Sequence, residues 1–170
     1  TDEALVTHSL EMLDRLPIRY LRIHLQTPGN EGRFLTTTAP DKPYYRNIWG
    51  EGSPYAAALK EADRQLGRLV SFLEKKRWLE NTLLIVTGDH GQSIKGWHPV
   101  IDPDSSLTPL LFHGPGIARG RQLTYFEHTD ISPTIAALLQ KQPPNTDGGA
   151  GRFVDAVLET TALPAAAHPR

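Results

Sequence analysis

Cysteine is absent from the 170 residues, and with it go disulfides, thiolate metal sites and cysteine nucleophiles. Any catalysis has to use other groups. No apolar run approaches the roughly 18 to 20 residues needed to cross a bilayer, and the start, Thr1-Asp2-Glu3, carries neither an initiator methionine nor a signal-peptide pattern. The chain reads as an excised or processed piece. An excess of one charge is also lacking. The 18 Lys and Arg face 19 Asp and Glu, for a net charge of -1, so no overall field draws the molecule toward a polyanion. Nucleic acid is not an expected partner. Missing too are the Gly-x-x-x-x-Gly-Lys phosphate loop, the Gly-x-Ser-x-Gly elbow and the Gly-x-Gly-x-x-Gly dinucleotide turn. What remains is the composition of one globular domain, with 39% apolar and 22% charged residues, enough to bury a single core.

Local patterns divide the chain. Leu5, Leu10, Leu13 and Leu16 fall at roughly helical spacing and stop at Pro17, which predicts a short amphipathic helix. Arg19 to Leu25 is rich in strand formers and precedes a turn-like Thr27-Pro28-Gly29-Asn30, so a strand and a turn are expected there. Residues from Gly29 to Gly52 show neither period and predict a long surface or rim segment. Ser53-Pro54 is a good helix start, and Tyr55, Leu59, Ala62, Leu66, Leu69 and Leu73 continue it as an apolar stripe. Leu83 to Thr87 and Leu107 to Phe112 read as strands buried on both faces, as parallel strands are. A third strand is expected at Gln122 to Phe126, and a helix opens near Asp130 and Ser132. Gln142 to Asn145 and Gly148 to Gly151 read as loops, Phe153 to Leu158 as a last short helix or strand, and the tail as frayed. The fold class expected is therefore α/β, with helices flanking a mostly parallel sheet.

Asp89 and His90 follow the first buried strand and are flanked by Gly88 and Gly91. Glycine on both sides lets the backbone turn sharply, and ligands in such sheets sit beyond the carboxyl ends of strands. A carboxylate next to an imidazole suits a divalent ion such as Zn, Mn, Ca or Mg. Two donors do not close a metal site, and Asp89 as a turn cap with His90 packed locally is the competing reading.

The stretch Asn81 to Gly91 resembles the strand and Asp-His-Gly segment of the sulfatase and alkaline phosphatase superfamily. Three further stretches resemble that family in the same order. They are the helix from Tyr55 to Leu73, the segment Thr108-Pro109-Leu110-Leu111-Phe112-His113-Gly114-Pro115-Gly116-Ile117, and the helix entry His128-Thr129-Asp130-Ile131-Ser132-Pro133-Thr134-Ile135. The resemblance covers about half of the chain and implies an alkaline-phosphatase-like fold whose N-terminal part is missing here. It also implies a metal-dependent hydrolase of sulfate or phosphate esters, acting on a small anionic substrate. Related alternatives are a phosphoethanolamine- or phosphoglycerol-type headgroup transferase and a non-catalytic binding module on the same fold.

By that resemblance Asp89 and His90 bind the divalent cation. Family members attack with Thr, Ser or formylglycine on an early strand-to-helix turn, and no stretch before His8 resembles it, so the chain alone is expected to be inactive. Lys95 and His98, five and eight residues beyond Asp-His, match the loop whose Lys or His contacts the oxyanion or protonates the leaving group. The competing readings are a solvated charge for Lys95 and a packing partner of Trp97 for His98. Arg33 is a candidate for gripping an anionic substrate bidentately, or else a surface arginine. His128 is open between a second metal ligand and a structural hydrogen-bonder, while Asp130 reads as a helix cap. The region after His24 lacks the Asp-x-x-x-His pattern of two-zinc phosphodiesterases. The expected domain is a partial catalytic domain over 1–170, with its core over about 18–140 and a flexible tail from about 160. Its family suggests an exported or periplasmic parent, although the residues leave the compartment open. An unpaired sheet edge would favour self-association as a homodimer.

Overall fold

The computed structural model of the protein describes residues 1–143 and 151–159. The chain forms two compact units, one made of residues 1–79 and 90–109, the other of residues 80–89 and from 110 onward. The backbone thus passes between units at three peptide bonds, one of them joining Asp89 to His90.

The first unit is helical. Helix α1 spans Asp2–Arg15, opened by the Thr1 hydroxyl accepting from the Ala4 N–H and closed by Leu16 ahead of Pro17. Helix α2 spans Thr27–Phe34 and helix α3 spans Pro54–Lys75. The expected turn at Thr27 to Asn30 is the first turn of α2, and part of the segment expected to be irregular is helical. Its N-terminal donors are satisfied from far away: the buried Asp2 carboxylate accepts from the Gln26 and Thr27 N–H groups at 3.2 and 3.1 Å. Such a cap, contributed from the start of α1, has no local signature in the Thr-Pro-Gly-Asn run. Helix α3 is where the apolar stripe predicts it. Ser53 is its cap and accepts from Ala56 N–H, and Pro54 occupies the first turn, where no N–H is needed. Arg68 in α3 bridges to α1, donating to Gln65 Oε1 in its own helix and to Thr7 Oγ1 at 2.8 Å. The short helix α4, Pro103–Ser106, is capped by Asp102.

Arg19 to Leu25 forms no strand, and neither does Gln122 to Phe126. A strand needs a ladder partner, and apolar alternation alone supplies none. In the second unit, strands β1 (Leu84–Thr87) and β2 (Leu110–His113) pair antiparallel, with Leu84 opposite His113 and Thr87 opposite Leu110. Two strands paired in this way neither support nor oppose the mostly parallel sheet expected of the fold. Their faces are also only partly covered, with Leu111 61% exposed, rather than buried on both sides. Uniform apolarity records a tendency to avoid water, but not which strand is the neighbour or how it runs.

Behind this ribbon, Ile117, Val157 and Leu158 form a small core onto which Leu83, Phe112 and Phe126 pack. Ile117 pairs with Leu158 as an isolated antiparallel bridge, and a 3-10 turn at Asp155–Val157 delivers Val157 and Leu158 to it. The last short element is thus partly helical and partly bridged, as its composition leaves open. Helix α5 runs His128–Leu138, two residues earlier than Asp130, through a capping box of Glu127 and Asp130. No described helix is long and apolar enough to cross a membrane. The expected loop residues Pro144, Asn145 and Gly148 to Ala150, and the tail from about 160, lie outside the described residues.

Candidate functional site

Strand β1 ends at Thr87, and Gly88, Asp89, His90 and Gly91 follow outside any helix or strand, with bends at Asp89 and His90. Asp89 is exposed and His90 half-buried. Asp89 is the last residue of the second unit before the chain enters the first at His90.

In the first unit, Gly91 is required by close packing rather than by its backbone angles. A Cβ there would stand 1.8 Å from the Asp104 carbonyl oxygen and 2.4 Å from that of Leu107. The same approach lets the Gly91 N–H donate to the Ser105 carbonyl at 2.7 Å. The His90 ring is oriented by its own neighbour, with Nδ1 2.7 Å from the Gly91 carbonyl oxygen. A carbonyl only accepts, so Nδ1 carries the proton and the lone pair of the neutral ring is on Nε2. Metal-ligating histidines commonly fix their tautomer through such a contact.

The His98 ring lies against the His90 ring, 4.0 Å between centroids and tilted by 33°. Packing against His90 is therefore what the structure gives His98. Trp97 takes other partners: its indole N–H donates to Thr36 Oγ1 at 2.7 Å, and the Arg33 guanidinium carbon lies 5.3 Å from its ring centroid. Arg33, in the last turn of α2, is exposed and held over an aromatic face by cation–π attraction. Lys95 is exposed on a tight loop closed by Ser93 N–H to the Trp97 carbonyl at 2.7 Å and Gly96 N–H to the Ser93 carbonyl at 2.9 Å. Gly96 has φ +90°, and a Cβ on it would lie 2.0 Å from the Gly32 carbonyl oxygen, so this loop sits directly on α2. The Gln92 side-chain amide donates to the Gly96 carbonyl and ties the same corner. Within one unit His90 thus contacts His98 and Arg33 contacts Trp97, with Trp97 and His98 adjacent in the chain and Lys95 on the same loop.

In the second unit, His128 is the exposed first residue of α5, its Nε2 3.3 Å from Thr87 Oγ1 at the end of β1. Asp130 is buried and acts as the expected cap, accepting from the Glu127 and Arg152 N–H groups at 3.1 and 2.9 Å. The Tyr125 hydroxyl donates to Glu127, and that hydrogen bond to a carboxylate raises the phenol pKa. Among the described residues no group of three His, Asp or Glu side chains is gathered as a metal cage.

Sequence reasoning missed the part of Trp97, because a lone indole in a polar loop looks the same whether it is packing or solvent-facing. Its position between Lys95 and His98 was the only signal available. The reason for Gly91 was equally hidden, since the carbonyls that exclude a side chain come from residues 104 and 107.

The Asp-His-Gly segment after β1 lies within the residues by which the chain matches the superfamily of sulfatases and alkaline phosphatases. The sulfatase family profile matches residues 20–141, more than half of the chain, and the chain belongs to the sulfatase family. That domain carries an α/β, alkaline-phosphatase-like fold, and its relatives give the family a hydrolase character. The chain is 35% identical over 110 residues to the choline-sulfatase of Rhizobium meliloti, covering 60% of this chain and 22% of that protein. It is 26% identical over 147 residues to the uncharacterized sulfatase YidJ of Escherichia coli, covering 75% of this chain and 29% of that one. A GPI ethanolamine phosphate transferase 2 of Aspergillus oryzae is 31% identical over 105 residues, 53% of this chain and 12% of its own length. The chain therefore spans less than a third of these curated relatives. No solved structure shows significant similarity to it.

Proposed function

We propose that this chain is part of a metal-dependent hydrolase of sulfate or phosphate esters, in which Asp89 and His90 are ligands to the divalent cation. The observation that supports this most is the tautomer of His90: its Nδ1–H donates to the Gly91 carbonyl, so the ring nitrogen suited to a cation is Nε2. A carboxylate beside an imidazole suits a divalent ion such as Zn, Mn, Ca or Mg, the imidazole favouring the softer end of that set. His128, next to Thr87 at the end of β1, is a further candidate donor. Held by Asp89 and His90, a divalent ion would supply Lewis-acid stabilisation of the charge on the ester's nonbridging oxygens.

The chain's own residues supply the rest of the reading. His98 donates a proton to the departing alcohol oxygen, where negative charge develops. The Lys95 ammonium stabilises charge on the nonbridging oxygens, and the planar Arg33 guanidinium, pinned over Trp97, orients the anionic group. The 170 residues contain no stretch resembling the family's nucleophile turn, so on their own they turn over no ester. The phosphoryl-transferring relative supports a second reading, transfer of a phosphoethanolamine-type headgroup through the same residues.

The test is direct titration of the 170-residue chain with Mn2+, read by the electron paramagnetic resonance of the free ion. Binding is expected to be weak, because Asp89 and His90 supply two donors where octahedral Mn2+ takes about six. Losing an outer-shell partner alone costs metal sites about 10-fold or more in affinity, so Asp89→Ala and His90→Ala should each cost at least about 10-fold. Stoichiometric binding untouched by both substitutions would show that the cation site lies elsewhere.

A further inference from the structure

The end of α3 and the residues after it, Lys75, Lys76, Arg77 and Trp78, form a basic corner of the first unit. Helix α1 ends at the same level. Its contacts to α3 keep a constant offset, Glu3 with Arg64, Thr7 with Arg68 and Asp14 with Lys76, at 61 or 62 residues along the chain. The two helices therefore run parallel, and Arg15 and Leu16 join the corner. Four cations, Arg15, Lys75, Lys76 and Arg77, stand against two acids, Asp14 and Glu74, in residues 14–16 and 74–78. Lys76 takes Asp14. Arg15, Lys75 and Arg77 are exposed, and among the described residues no carboxylate pairs with them.

The Trp78 ring is 39% exposed and packs edge-on against Phe72, 5.9 Å between centroids. The Lys76 ammonium lies 5.6 and 5.9 Å from the Phe72 and Trp78 centroids. Leu16 is 52% exposed. Arg77 adopts φ +57° in a turn closed by Trp78 N–H to the Leu73 carbonyl at 2.8 Å, where glycine would sit without strain. Cations beside two helix C-termini follow from the helix dipoles alone. An exposed indole and leucine among them do not.

Cations around an exposed tryptophan and leucine match the boundary of an anionic bilayer. Lysine and arginine meet the headgroups there, and an indole sits between water and acyl chains. A soluble polyanion would draw on the cations alone. We propose that this corner docks the chain on a membrane surface carrying anionic lipids, with α1 and α3 standing on the lipid by their carboxyl ends. The loop bearing Lys95 is tied to the opposite end of α3. Its Ile94 carbonyl accepts from Ile48 N–H, and the Ile48 carbonyl accepts from the cap Ser53. The 22 residues of α3 thus hold that loop about 30 Å from the headgroups. The corner shares no residue with the proposed cation and ester contacts, and its docking goes beyond that reading.

The experiment sediments the 170-residue chain with large unilamellar vesicles, either phosphatidylcholine alone or phosphatidylserine and phosphatidylcholine in equal parts. Binding to the mixed vesicles is expected, weakened at about 0.5 M salt, with none to phosphatidylcholine alone. Lys75→Gln and Arg77→Asn should each weaken it about fivefold. Asparagine tolerates the left-handed backbone, so the turn is kept. Lys60→Gln is the control, the same charge change at an exposed residue about four turns earlier in α3, beyond a screening length of about 10 Å. It should leave binding unchanged. Brominated phosphatidylcholine in the mixed vesicles should quench indole emission, and Trp78→Phe should remove that quenching. No binding to the mixed vesicles, equal losses with Lys60→Gln and Lys75→Gln, or quenching that survives Trp78→Phe would overturn the inference. Dextran sulfate bound as tightly as the mixed vesicles would assign the corner to a soluble polyanion and overturn it too.

Discussion

Replacing Gly91 by alanine adds one methyl group at the turn that carries His90. That methyl would stand 1.8 Å from the Asp104 carbonyl oxygen, 2.4 Å from the Leu107 carbonyl oxygen and 2.9 Å from the Asp104 carbonyl carbon. All three are backbone atoms, so no flexible side chain can swing aside, and the segment around α4 has to move away from the turn. Overpacking of this kind costs about 1–3 kcal/mol. The movement also breaks the hydrogen bond from Gly91 N–H to the Ser105 carbonyl, worth about 1 kcal/mol. The expected loss is therefore about 2–4 kcal/mol, local to the first unit. Because the chain forms two compact units, the suitable assay is native-state amide hydrogen exchange across residues 91–107, supported by urea unfolding. Gly67→Ala is the internal control: nothing lies within 4 Å of its added Cβ in α3, so it should stabilise by about 0.5–1 kcal/mol. Wild-type protection of the Gly91 amide in Gly91→Ala would refute the steric argument.

Two further perturbations follow from the same packing. The buried Ser53 hydroxyl accepts from Ala56 N–H and donates to the Ile48 carbonyl, while Ile48 N–H donates to Ile94 in the Lys95 loop. Ser53→Ala should cost about 1–2 kcal/mol in urea unfolding and increase exchange at the Ile48 amide; an unchanged midpoint would contradict the capping role. Hydrogen bonds from Arg64, and then from Gln65, hold the Glu61 carboxyl at about 2, below its ordinary 4.5. Since the folded value is depressed, the stability advantage of wild type over Glu61→Gln is present above about pH 4.5 and is lost as the pH falls toward 2. The side chain is exposed, so raising salt to about 0.5 M should shrink that advantage. An advantage that grows on acidification would show that Glu61 is not held as an anion.

Much of the α3 region is legible from the chain alone because its causes are local. Ser53, Pro54 and the recurring apolar residues act within a few turns of one another. The Asp-His-Gly motif and its family are legible for a similar reason, as contiguous residues after an apolar run. By contrast, α2 looked like a turn because its N-terminal donors are met by Asp2, 24 and 25 residues earlier. The strand expected at Arg19 to Leu25 had suitable residues but found no ladder.

The amino-acid order alone determined the ends and stripe of α3, the location of Asp89 and His90 after a strand, and the family, because each depends on residues near one another along the chain. Tertiary structure decided that β1 and β2 run antiparallel, that His98 stacks on His90, that Arg33 rests on Trp97, and that Gly91 can bear no side chain. Those outcomes depend on which distant backbone or ring occupies the neighbouring space, and periodicity along a chain carries no record of that neighbour.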